Sequence, residues 1–330
     1  MNCVFPSEHI TGFQRSGAEL LRDFSWSAKL VGDCDTAVEN LVPIVVLTFH
    51  FTGDAEAIKG LRKSGFGFIE VGTVTPLPQK TDSESVTKFL SEDEGCLSCG
   101  KFKSAGLNTV YLLVKKAYDR NADVPLGVNI GRNAELNQLK TDYNLGVYYF
   151  GPFSDYLVLN FAGQTGPEKI TDVEIALQAV ASAVKQLVEA NEPSPKILIK
   201  IPSDLTILDL KAIIEIALNK RYGVDGIIIS NSTARRPKNL ETALEEDGFL
   251  SGRPLRDMST NCIRDVYRIS NGKIPIIGCG GISSGQDAYE KIRAGASFPV
   301  IGRIKRELVE CLSRDGFCSV SEAVGADHKK

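Results

Sequence analysis

The chain has 330 residues, 43% hydrophobic and 24% charged, a composition that supports one large buried core and one main domain. Its formal net charge is -3 and its pI is near 5.8, with no dense run of Lys or Arg. That excludes the phosphate-neutralising surface of a nucleic-acid binder and leaves small molecules or proteins as partners.

Residues 1–42 read as a small N-terminal helical cap, with a modest amphipathic helix around Gly17 to Leu30 carrying Leu20, Leu21, Phe24 and Ala28 on one face. Arg15, Arg22 and Lys29 are diluted by Glu8, Glu19 and Asp23, so no targeting peptide is visible. No stretch approaches the roughly 18 to 20 apolar residues of a membrane-spanning helix, and membrane association would need a segment not visible in the sequence.

Residues 43–330 read as one barrel domain. Short β-branched runs alternate with helical stretches, the mark of repeated βαβ units and a parallel sheet. The expected strands are Pro43 to Phe49, Phe66 to Gly72, Val124 to Ile130, Asp155 to Phe161, Lys196 to Ile201, Val224 to Asn231 and Lys273 to Gly278. Their continuous apolar character, as in Gly-Ile-Ile-Ile (226 to 229), suits strands buried on both faces. Helix periodicity runs through Asp172 to Ala190, Thr206 to Lys220 and Ser284 to Ala294, with Thr206 and Ser283 or Ser284 available as N-caps. The fold class is therefore a TIM-type (β/α)8 barrel, with an open doubly wound sheet as the alternative. An eighth strand after Gly295 is expected to be missing or rudimentary. The chain offers only Ala-Ser-Phe-Pro-Val-Ile-Gly (296 to 302) there, and Pro299 has no ladder N–H.

Function in such barrels gathers at the carboxyl ends of the strands. Thr73 and Thr75, Asn129, Asn160, Lys200 and Asn231 fall there in succession. Each asparagine offers two donors and an acceptor, which suits a neutral, planar, amide-like ligand. Lys200 sits between Ile199 and Ile201, so its ammonium must point inward or snorkel from an apolar strand, and a buried lysine needs a compensating charge or an anion to stabilise. The turn from Gly278 to Gly285 ends the seventh strand and opens a helix, where backbone N–H groups bind phosphate. Of the 8 cysteines, Cys96 and Cys99 form the one close pair, and without a second pair no metal site is expected.

Several long motifs resemble the dihydroorotate dehydrogenases: Gly-Phe-Gly-Phe-Ile-Glu-Val-Gly-Thr-Val-Thr-Pro (65 to 76), Leu-Gly-Val-Asn-Ile-Gly (126 to 131), Asp-Tyr-Leu-Val-Leu-Asn (155 to 160), Leu-Ser-Gly-Arg-Pro-Leu-Arg-Asp (250 to 257) and Ile-Gly-Cys-Gly-Gly-Ile-Ser-Ser-Gly-Gln-Asp-Ala (277 to 288). Ala-Val-Gly-Ala-Asp-His-Lys (323 to 329) resembles the class 2, quinone-linked, mitochondrial branch. The resemblance implies an FMN oxidoreductase of pyrimidine biosynthesis at the mitochondrial inner membrane, oxidising dihydroorotate to orotate and passing electrons to a quinone. Carried over by position, it implies FMN contacts from Thr73, Asn129, Asn160, Lys200, Ser230, Ser251, Gly252, Gly280 and Gly281. Substrate contacts fall to Asn160, Asn231 and Ser232.

The departures from the family's pattern concentrate at the chemistry. Asn160-Phe-Ala-Gly-Gln-Thr-Gly166 puts Gly163 where the family has its base serine and Thr165 where it has a substrate asparagine. Glycine takes no proton, and losing a general base typically costs about 10²- to 10⁴-fold in rate. Phe49-His-Phe-Thr-Gly53 lacks the family's lysine after the first strand, and Lys103 replaces another substrate asparagine. His50 has no visible orienting partner as a replacement base. Roughly a dozen residues are absent after Ser297 relative to the family, which would remove the eighth strand and half of the phosphate site. Two expectations follow: an impaired member of the enzyme family, or an inactive isoform or binding protein on a degenerate barrel.

Overall fold

The structure is a computed structural model. It describes residues 46–49, 58–62, 68–79, 87–99, 103–122, 124–133, 138–161, 169–238, 240–242, 247–297 and 302–329. The expected N-terminal cap, the Pro299 segment, and the positions of His50, Gly53, Gly163 and Thr165 lie outside these residues. In chain order the strands are β1 (Val46–Phe49), β2 (Phe68–Val74), β3 (Thr87–Leu90), β4 (Gly95–Ser98), β5 (Leu126–Ile130), β6 (Tyr156–Asn160), β7 (Lys196–Ile201), β8 (Gly226–Ile229), β9 (Phe249–Gly252) and β10 (Ile276–Gly278). The helices are α1 (Ile58–Leu61), α2 (Leu107–Ala117), α3 (Leu139–Phe150), α4 (Ile170–Glu189), α5 (Ile207–Leu218), α6 (Arg256–Ser270), α7 (Gly285–Ala294), α8 (Gly302–Arg314) and α9 (Val320–Ala323).

Seven strands form one parallel sheet in the order β1-β2-β5-β6-β7-β8-β10, each a strand expected from the sequence. Among the described residues β1 and β10 do not pair, so the barrel is incomplete. The chain leaving α7 starts alongside β10, where the Ser297 N–H donates to the Ile276 carbonyl at 2.8 Å. Among the described residues no strand follows that hydrogen bond.

The strands β2, β5, β6, β7, β8 and β10 are largely apolar because both of their faces are buried. Ile69, Val71, Leu126, Val128, Ile130, Leu157, Leu159, Ile197, Ile199, Ile201, Ile227 and Ile229 join the core beneath the helices. The opposite face carries Phe68, Tyr156, Val158, Leu198, Ile228 and Ile277, which form a separate buried cluster inside the sheet. A Cβ at Gly127 would overlap the Tyr156 ring, so glycine makes room for that ring across the interior. Tyr156 meets Phe68 edge-on at 6.1 Å between centroids, and its hydroxyl donates to the Ile69 carbonyl at 3.0 Å. Burial of each such apolar side chain contributes about 1.5 to 3 kcal/mol.

The inner face changes character two residues further along each strand. Past Phe68 comes Glu70, past Gly127 Asn129, past Val158 Asn160, past Leu198 Lys200 and past Ile228 Ser230, all buried. Alternation alone thus stacks a polar layer on an apolar one, at the carboxyl ends.

A feature with no counterpart in the sequence reading is a three-stranded antiparallel sheet of β3, β4 and β9. Its strands have four residues each, too short for period-2 alternation to be legible. Leu90, Leu97, Leu250 and Leu255 form its core, and a bridge between Thr233 and Leu250 joins it to the chain leaving β8.

Helix caps follow the expected residues. Thr206 Oγ1 accepts from the Asp209 N–H at 3.2 Å, and Ser284 closes a capping box with Asp287 on α7. Burial opposes ionisation of Asp287, but hydrogen bonds from Ser284 and Ser283, two from hydroxyls and two from backbone N–H groups, outweigh it and hold the carboxyl below its usual range. A depressed folded-state pKa stabilises the fold above the unfolded value, near 3.9, and that contribution is lost as pH falls through the folded value. Asp287→Asn is therefore expected to flatten the dependence of unfolding free energy on pH below about 4. Urea titrations between acidic and neutral pH check it, and an unchanged slope would refute the assignment.

Candidate active site

A continuous hydrogen-bonded chain crosses the polar layer. Lys200 Nζ lies 3.1 Å from Glu70 Oε1, with side-chain exposures of 5% and 2%. The same carboxylate oxygen accepts from Asn129 Nδ2 at 2.9 Å. Thr73 Oγ1 donates to Asn129 Oδ1 at 2.9 Å and accepts from Asn160 Nδ2 at 2.8 Å. Asn231 Nδ2 donates to Asn160 Oδ1 at 2.8 Å, and Asn231 Oδ1 accepts from the Ser232 N–H at 2.9 Å. Four strands and the residues just after a fifth thereby contribute to one network.

Thr73 lies within β2 rather than beyond it, while Thr75 turns away, its N–H donating to Ser104 Oγ and its hydroxyl to the Leu77 carbonyl. Asn160 is braced from behind by Tyr143, whose phenol donates to the Asn160 carbonyl at 2.8 Å and is kept neutral by burial. Lys103 is exposed and outside the network.

Two buried polar atoms in this layer have no hydrogen-bond partner: Glu70 Oε2 and Ser230 Oγ. A buried, unpaired carboxylate oxygen or hydroxyl costs about 1 to 3 kcal/mol or more, which marks these atoms as waiting for a ligand or water. Beside Ser230, Cys279 Sγ donates to the Ser230 carbonyl at 3.2 Å, and burial pushes the Cys279 thiol up. That keeps it protonated and unreactive.

The glycines form a second group. Gly280 and Gly281 adopt φ of +92° and +70°, and a Cβ on Gly281 would overlap the Arg256 backbone at the start of α6. A Cβ on Gly280 would sit 3.2 Å from Ser230 Oγ, so this turn adjoins the polar layer. Ser251 and Gly252 lie on β9, in the small sheet. Ser251 Oγ faces the Cys96 carbonyl at 3.4 Å, and Gly252 is held at φ +93° by the close approach of Glu94 and Gly95. They do not touch the Lys200 network.

Glu70 is the residue that sequence reasoning passed over. Its signal was the same as that of Lys200, a charge inside an apolar strand (Phe-Ile-Glu-Val), and the two charges compensate each other across 130 positions.

An incomplete parallel α/β barrel with a polar layer at the carboxyl ends of its strands and a glycine turn beside it belongs to the class of barrel proteins that bind small molecules at the mouth. The chain belongs to the dihydroorotate dehydrogenase family, whose model matches residues 39–305. It is 40% identical over 301 residues to the mitochondrial dihydroorotate dehydrogenase (quinone) of Mus musculus, covering 85% of this chain and 76% of that protein. It is 38% identical over 304 residues to the dihydroorotate dehydrogenase (quinone) of Azorhizobium caulinodans, covering 86% and 84%. Among solved structures, the enzyme of Eimeria tenella in complex with ferulenol superposes with a TM-score of 0.81 at 32% identity, covering 95% of this chain and 94% of that one.

Proposed function

We propose that this chain is a quinone-linked dihydroorotate dehydrogenase of pyrimidine biosynthesis that holds FMN at the barrel mouth and turns over slowly. The observation that supports it most is the buried chain from Lys200 to Asn231 with Glu70 Oε2 and Ser230 Oγ unpartnered. Those two atoms suit the polar edge of a flavin ring, which offers both donors and acceptors. Thr73, Asn129, Asn160, Lys200 and Ser230 would hold the ring, and Ser251, Gly252, Gly280 and Gly281 the phosphate side. When bound, FMN supplies hydride acceptance from dihydroorotate and electron delivery to a quinone.

The residues of the chain do the rest. The Lys200 ammonium, oriented by Glu70, keeps a positive charge in a dry layer where negative charge develops, an arrangement that needs little reorganisation. Asn160, Asn231 and Ser232 would fix the pyrimidine by amide and hydroxyl hydrogen bonds. Gly163, at the family's base position, has no group to take the proton, which is why turnover is expected to be slow. Relatives from mouse, rice and Arabidopsis are named as mitochondrial, which supports a mitochondrial location, at the inner membrane by resemblance. Among the described residues no helix is long and apolar enough to cross a membrane.

The second reading is a non-catalytic relative that binds ligand on the same barrel, favoured by Gly163 and by the unclosed sheet. An absorbance spectrum of the purified chain, followed by dihydroorotate-dependent quinone reduction, separates them. Flavin below one per chain with slow but measurable reduction is expected. Bound flavin without reduction would favour the second reading, and a colourless protein that neither takes up FMN nor binds orotate would overturn both.

A further inference from the structure

Lys291 is the most deeply buried cation among the described residues, at 0% exposure, and it lies on α7 outside the Lys200 network. Its Nζ donates to the Arg256 carbonyl at 3.1 Å, to Thr260 Oγ1 at 2.9 Å and to Ser259 Oγ. Three acceptors demand three N–H donors, so the group is an ammonium. All three acceptors are neutral, and no described carboxylate lies within hydrogen-bond distance. Burial pulls its pKa down to about 8, which leaves it charged at neutral pH. A buried ammonium stabilised by dipoles alone is costly unless it organises something nearby.

What it organises is visible in the next link. Ser259, accepting from Lys291, reaches two carbonyls, that of Gly280 at 3.0 Å and that of Arg256 at 3.2 Å. The Arg256 oxygen already accepts from Thr260 Oγ1 and Lys291 Nζ, which leaves the single Ser259 proton for Gly280. The peptide that joins Gly280 to Gly281 is planar, so a carbonyl tied to α6 sends the Gly281 N–H the opposite way. Gly281 is buried, yet its N–H donates to no described acceptor. Buried backbone donors are rarely left so, and this one sits in a glycine turn leading into α7. The stem of Lys291 runs beneath the same turn, its Cδ 3.4 Å from where a Cβ on Gly278 would stand.

We propose that Lys291 is a positioning residue for an anion site at the Gly280–Gly281 turn, holding the Gly280 carbonyl inward through Ser259 and so presenting the Gly281 N–H to the phosphate of a flavin nucleotide. The assignment of the anion rests on the FMN reading above; the relay itself does not.

The test compares two ligands that share a ring and differ in the phosphate. Apoprotein is titrated with FMN and with riboflavin, following flavin fluorescence, for the unsubstituted chain, Lys291→Met and Ser259→Ala. Lys291→Met is expected to weaken FMN binding by about tenfold or more while riboflavin changes by less than about twofold, the loss of one charge-assisted contact. Ser259→Ala should shift FMN in the same direction and serves if the methionine variant fails to fold. Equal losses for both ligands, or no loss for FMN, would overturn the proposal. If no flavin binds at all, the flavin reading fails and amide hydrogen exchange decides the relay. Faster exchange in residues 278–284 of the variant with β7 unchanged supports it, and unchanged exchange in that segment sinks it.

Discussion

Lys200→Met is expected to destabilise the folded chain by about 3 to 5 kcal/mol, because it leaves the Glu70 carboxylate buried without its cation. The pair is 3.1 Å apart and nearly sealed from solvent, so water cannot replace the lost partner without opening the layer. Methionine fills most of the lysine stem's volume, which limits the cavity contribution and leaves the charge as the main effect. The double variant Lys200→Met with Glu70→Gln removes both charges and keeps an oxygen to accept from Asn129 Nδ2. It is expected to recover most of the loss, since neutral replacement of a buried pair is often close to neutral in stability. Urea unfolding of the four proteins of this cycle measures the coupling. A single-variant loss under about 1 kcal/mol would show that Glu70 is solvated or protonated and that the polar layer is not dry.

Gly163→Ser is expected to raise dihydroorotate-dependent quinone reduction by about 10²-fold or more, by restoring a side chain that can take the proton at the family's base position. The gain should fall on kcat, with KM changing little, because the serine would act in the transition state while the proposed binding groups Asn160, Asn231 and Ser232 are unchanged. A companion protein carrying the family's eighth-strand segment after Ser297 separates cofactor retention from chemistry. That insertion should raise flavin content, and Gly163→Ser should raise turnover per bound flavin. If turnover per flavin stays within about threefold of the unsubstituted chain, some other group serves as base and the role given to position 163 is wrong.

The strands were legible because strands buried on both faces read as apolar runs bounded by turn residues, as in Gly226–Ile229 and Lys196–Ile201. Their carboxyl-terminal residues stood out because an asparagine or lysine interrupts such a run. Asn129, Asn160, Lys200 and Asn231, singled out one by one, meet in a single network. Ser251 and Gly252 are grouped with Gly280 and Gly281 as cofactor contacts by resemblance, yet they lie on a different sheet from the Lys200 network. No sequence pattern announced that sheet, because β3 exposes three of its four residues and offers no apolar face to read.

What the sequence determined by itself was the position of the seven parallel strands along the chain, the helix caps at Thr206 and at Ser283 or Ser284, and in Lys200 a charge that an apolar strand cannot leave unpaired. These are local properties, set by periodicity, turn chemistry and desolvation. The tertiary structure alone decided which charges meet. Glu70 finds Lys200 because β2 and β7 turn the same parity of residues inward, and a separation of 130 positions carries no trace of that agreement. Lys291 reads in sequence as one more lysine of an amphipathic helix, in Glu-Lys-Ile-Arg. The packing of α7 on α6 removes it from water and places it behind the glycine turn. Burial is a property of the assembled layers, so a residue whose role depends on burial becomes visible only when they are assembled.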